Sequence, residues 1–106
     1  MSASRGSRVR YEWDKKKEDE NIKKHGLDFE TATLIWESIT LTELDGRFDY
    51  GEERFVAVGE VDERAIAVVF TWRQANRRII SARKASRDER KRYYDTCARG
   101  EADPPD

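Results

Sequence analysis

A single cysteine, Cys97, excludes an internal disulfide and a cysteine-based zinc site, and it suits a reducing cytosol. No apolar stretch approaches the roughly 20 residues that span a bilayer. The longest, Ala65 to Phe70, has only the length of a strand, and no signal-peptide core follows Met1. A cytoplasmic protein with no membrane association is therefore expected. A charge of one sign is missing too: 21 basic residues face 22 acidic ones, so net charge provides no steering toward nucleic acid. The chain has no Walker loop, dinucleotide glycine pattern, nucleophile elbow or EF-hand spacing. No cofactor or metal is expected from such motifs.

What is present is a highly charged yet foldable chain. Charged residues make up 41% of it, but three Trp, four Phe and four Tyr supply the apolar bulk that disordered chains lack. One compact domain over 9–100 is expected, between a loose basic arm, 1–8, and a frayed acidic tail, 101–106.

Val9, Tyr11 and Trp13 alternate with charged residues, as in a strand with one buried face. Asp14 and Gly26 bracket a helix whose one aliphatic residue, Ile22, is too little to anchor it. Asp28 opens a second helix with Phe29, Ala32, Thr33 and Trp36 on one stripe. A strand over 39–44 and an acidic loop from Asp45 to Glu53 precede a meander over 54–61, 65–73 and 77–84. The middle segment of that meander is apolar on both faces and should be central. Ser86 and Glu89 have capping-box spacing and start a last helix, which stops at Gly100. The order β-α-α-β-β-β-β-α predicts an α+β domain with helices packed around an antiparallel sheet.

Residues 77–99 hold nine Lys or Arg against three acids. Strict alternation in the last strand would put Arg77, Ile79, Ser81 and Arg83 on one face, where guanidinium groups suit phosphate. Arg77, Lys84 and Arg90 are candidate substrate-binding cations, although a solvated charged face has the same composition. His25, the only histidine, is the side chain best suited to move a proton near neutrality, or else merely a cation at a helix end. Glu53 could act as a base and Arg54 as a phosphate ligand. Tyr93 and Tyr94 could stack on a base or pack their helix onto the sheet.

The segments YEWD at 11–14, Asn21 with KHG at 24–26, FETA at 29–32, GEERFVAVG at 51–59 and RIISARKASRDER at 78–90 with Tyr93 together resemble the BrnT family. These are the toxins of BrnT/BrnA type II toxin-antitoxin modules. One departure is Lys15, where relatives often carry Pro, a residue suited to a first helical position. The resemblance implies a RelE/ParE-like fold and a metal-independent endoribonuclease that arrests translation. It also implies a BrnA-like antitoxin, an assembly of two toxins with two antitoxins, and contact with operator DNA through the antitoxin. Carried onto this chain, the polar positions are His25, Glu53, Arg54, Arg83, Lys84 and Tyr93. In the expected mechanism Arg54 and Arg83 hold the scissile phosphate, His25 and Glu53 move protons, and Tyr93 positions a base. The alternatives are a non-catalytic corepressor that binds nucleic acid or antitoxin, and a gyrase-inhibiting toxin of the same fold.

Overall fold

In a computed structural model, residues 9–46 and 51–106 are described. The arm 1–8 and the middle of the acidic loop, including Asp49, lie outside the described residues. The elements are β1 (Arg10–Trp13), α1 (Lys15–His25), α2 (Phe29–Ala32), a 3-10 helix (Thr33–Glu37), β2 (Leu41–Leu44), β3 (Phe55–Val61), β4 (Arg64–Arg73), β5 (Asn76–Lys84) and α3 (Arg87–Ala98).

The strands form one five-stranded sheet in the order β1-β5-β4-β3-β2. The meander is antiparallel as expected, and β4 is central and buried from Ala65 to Thr71. The sheet is nevertheless mixed, because β1 runs parallel to β5, pairing Tyr11 with Arg77 and Trp13 with Ile79. Local alternation specifies a strand but not the distant edge on which it docks.

Helices cover both faces. On one face Phe29, Ala32, Ile35 and Trp36 pack on Ala57, Ile66, Val68, Phe70, Ile79 and Ala82. On the other, Tyr93 of α3 joins Val58, Ala65, Ala67 and Ala85. Gly59 allows the 3-10 helix to approach β3: a Cβ there would lie 2.8 Å from the Ile35 Cβ.

The anchor of α1 is polar. Ile22 is exposed, while Asn21 is buried and donates through Nδ2 to the carbonyls of Leu27 and Ala82, both at 2.9 Å. Its Oδ1 accepts the Ala82 N–H at 3.1 Å. Buried Glu18 accepts the Phe29 N–H at 3.0 Å, satisfying a donor at the start of α2. Polar side chains thus do what apolar periodicity could not indicate.

Two further expectations are corrected. Val69 pairs with Ser81 but Phe70 pairs with Ile79, so Ile80 is an extra residue in β5. This bulge inverts the alternation. Arg77 and Ile79 therefore face the α1 side, whereas Ser81 and Arg83 face the α3 side. The segment after α3 does not fray: Thr40 and Asp103 form an antiparallel bridge, and Asp106 ion-pairs with Arg77.

Candidate active site

The sharp turn at Gly26, with φ at 72°, ends α1 and leaves His25 at the rim of a cleft of about 490 Å³. Leu27, Ile66 and Lys84 line the cleft from the α1 side of the sheet. Asp62, Glu63 and Arg64 of the β3–β4 turn form another wall, and Arg90 and Tyr94 reach in from α3. Asp62 and Glu63 both hold positive φ, at 51° and 66°, as a type I′ hairpin turn requires.

Three cations, Arg64, Lys84 and Arg90, line this hollow with His25, against two acids, Asp62 and Glu63. Of the nine basic residues over 77–99, six have carboxylate partners: Arg77 with Asp106, Arg78 with Glu12, Arg83 with Glu89, Lys91 with Asp95, Arg92 with Glu43, and Arg99 with Glu101. Among the described residues Lys84 and Arg87 have no carboxylate partner, and Arg90 donates to the Ala85 carbonyl at 2.9 Å. Two of these three, Lys84 and Arg90, line the cleft with His25.

Four of the nine residues singled out in the sequence, His25, Lys84, Arg90 and Tyr94, therefore meet in one hollow. The others lie elsewhere. Arg83 points to the α3 face and donates two hydrogen bonds to Glu89, at 2.7 and 3.0 Å. That pairing, with the Ser86 N–H, holds the Glu89 carboxyl at about 2. Glu89 in turn completes the capping box of α3, so Arg83 fastens this helix start to the sheet. Glu53 is exposed and Arg54 half-buried, both just before β3. A strand length of about 20 Å separates them from Val61, which lines the cleft. His25 and Glu53 thus do not share a proton-transfer site, and Arg54 and Arg83 do not converge on His25.

Tyr93 is buried and donates from its hydroxyl to the Ile39 carbonyl at 3.0 Å; burial first, and neighbouring Cys97 and Glu60, push its phenol well above the usual range. It packs α3, and Tyr94 is the ring at the cleft. Tyr94 is half-exposed and its hydroxyl donates to Glu60. Arg77 is buried among aromatic rings and is not at the cleft. Sequence reasoning missed Asp62, Glu63 and Arg64, which read only as turn residues and carry no signal of a site.

Among the described residues no three His, Cys, Asp or Glu side chains are grouped to hold a metal ion. No helix among them is long and apolar enough to cross a membrane.

Comparison with solved structures finds the ribonuclease toxin BrnT of Brucella abortus, with a TM-score of 0.56 and 30% identity, covering 74% of this chain and 99% of that one. None of the curated proteins matches the chain. Residues 13–89 match the family described as the ribonuclease toxin, BrnT, of type II toxin-antitoxin systems. His25, Lys84 and most of the sheet fall within that match, and the chain belongs to the BrnT family.

Proposed function

We propose that the chain is an endoribonuclease toxin that cleaves RNA in the His25 cleft without a metal ion and thereby inhibits translation. The observation that carries this reading is the meeting of the lone imidazole in one hollow with Lys84 and Arg90, two cations that ion-pair with no carboxylate among the described residues. Lys84 and Arg90 bind the phosphate and stabilise the negative charge that develops on it, which is the largest contribution available to such a site. His25 accepts the proton of the ribose 2'-hydroxyl as that oxygen attacks phosphorus. The bond to the 5'-oxygen breaks, and that oxygen takes a proton from water at the open mouth. The products carry a 2',3'-cyclic phosphate and a 5'-hydroxyl. Tyr94 offers a ring face for a neighbouring base.

The same reading places the fold with the RelE-like toxins and the protein in the cytoplasm. Membership in a toxin-antitoxin family supports an antitoxin partner. We take it to be BrnA-like, in a complex of two toxins with two antitoxins that binds operator DNA through the antitoxin.

Incubating purified protein with defined RNA in the presence of a chelator, followed by end-group analysis, tests the reaction. Cyclic phosphate ends that disappear with His25→Ala are expected. Cleavage only after metal is added would overturn the mechanism, and intact RNA under all conditions would leave the corepressor reading in its place.

A further inference from the structure

The segment after α3 is bound at both of its ends. The Thr40 N–H donates to the Asp103 carbonyl at 3.1 Å, and the Asp103 N–H returns a bond to the Thr40 carbonyl at 2.7 Å. Three residues on, the Asp106 N–H donates to the Trp36 carbonyl at 3.0 Å, and its carboxylate meets Nη1 of Arg77.

Arg77 is a costly residue to bury, with a side chain only 8% exposed. Its guanidinium carbon lies 4.1 Å from the ring centroid of Trp36, 4.7 Å from Trp72 and 5.0 Å from Phe70. Aromatic faces attract a cation but leave its N–H groups without acceptors. Arg77 Nε and Trp36 Nε1 are indeed buried with no hydrogen-bond partner. A hollow of about 190 Å³, lined by Tyr11, Thr33, Trp36 and Asp106 among others, opens beside them. Glu37 and Asp106 both line this hollow, and it is Asp106 that ion-pairs with Arg77, so the cation buried here is met by a carboxylate of the segment after α3.

The segment matches that demand. Pro104 and Pro105 join its two anchors, and proline, with φ fixed and no N–H, loses little freedom on docking and leaves no donor unpaired. We propose that the groove between the 3-10 helix, β1 and Arg77 is a receptor site for an extended acidic peptide. Residues 103–106 are its ligand in cis, a removable strap. The strap lies outside the residues matched by the family, and while docked it neutralises a cation that would otherwise be open to polyanions.

Hydrogen exchange on the full chain tests this. Asp106→Asn is expected to speed exchange at the Thr40 and Asp103 amides by at least about tenfold. In an Arg77→Met background the same change should alter those rates by less than about twofold, since the carboxylate has lost its target. If Arg77→Met does not fold, Arg77→Lys serves: it keeps the charge but loses the fork, and should reduce the response. A free peptide of residues 101–106, added at millimolar concentration to the Asp106→Asn chain, should restore protection at Thr40. The peptide carrying Asp106→Asn should not. Unchanged exchange in the single variant, equal responses in both backgrounds, or no protection by the peptide would each overturn the proposal.

Discussion

Arg83 and Lys84 are neighbours in the chain, yet Arg83 is clamped to Glu89 on the α3 face while Lys84 lines the cleft with His25. The two cations therefore answer to different assays. Arg83→Ala should destabilise the fold by about 1–3 kcal/mol, since it removes two charge-assisted hydrogen bonds. Lys84→Ala should leave the urea midpoint unchanged and slow RNA cleavage by about a hundredfold. The opposite pattern, a stable but inactive Arg83 variant beside an active Lys84 variant, would move the site to the α3 face.

His25→Ala should lower the cleavage rate by about a hundredfold or more, the usual contribution of general base catalysis. His25 is exposed at the end of α1, so its circular dichroism spectrum and thermal midpoint should match those of the parent. Glu53→Gln, made a strand length away, should retain full activity. Quench-flow or gel assays with a short RNA separate the two.

The paired tyrosines divide in the same way. Tyr93→Phe removes the bond to the Ile39 carbonyl and should cost about 1 kcal/mol of stability, with activity unchanged in the folded fraction. Tyr94→Ala should weaken RNA binding by about tenfold, the lower end of what one stacked base contributes. Fluorescence anisotropy with a non-cleavable 2'-O-methyl RNA measures it.

Gly59→Ala brings a methyl group to 2.8 Å from the Ile35 Cβ. The 3-10 helix must shift to relieve that overlap, and a loss of about 1–3 kcal/mol is expected. Chemical denaturation checks this directly, and a variant as stable as the parent would show that the helix has room to move.

Acid should loosen α3. The Glu89 carboxyl is held at about 2 against a usual value of 4.5, chiefly by Arg83, then by the Ser86 N–H. A depressed carboxyl contributes stability that is complete above its unfolded value and fades as pH falls toward its folded one. Urea midpoints measured from pH 6 to pH 3 should drop below about pH 4.5, and the drop should be smaller in Glu89→Gln.

Much of the frame was legible because it is written in local patterns. The period-2 runs of the meander, the stripe Phe29, Ala32 and Trp36, and the caps at Asp14, Gly26 and Ser86 each depend on residues a few positions apart. The candidate site was legible only in kind. His25, Lys84 and Arg90 belong to three different elements, and nothing local says that they meet. Arg54, Arg83 and Glu53 looked equally suitable, and Tyr93 looked better than Tyr94.

By itself the amino-acid sequence determined which segments are helix and strand, the apolar stripe from Phe29 to Trp36, and the stock of cations and the one imidazole available for chemistry. Only the tertiary structure decided which of those cations are spent. An extra residue at Ile80 turned Arg83 away from Arg77, Glu89 captured Arg83, and Asp106 captured Arg77. Such choices depend on strand register and on pairings between residues far apart in the chain. A one-residue offset reverses every side chain beyond it, and no pattern within a single segment records it.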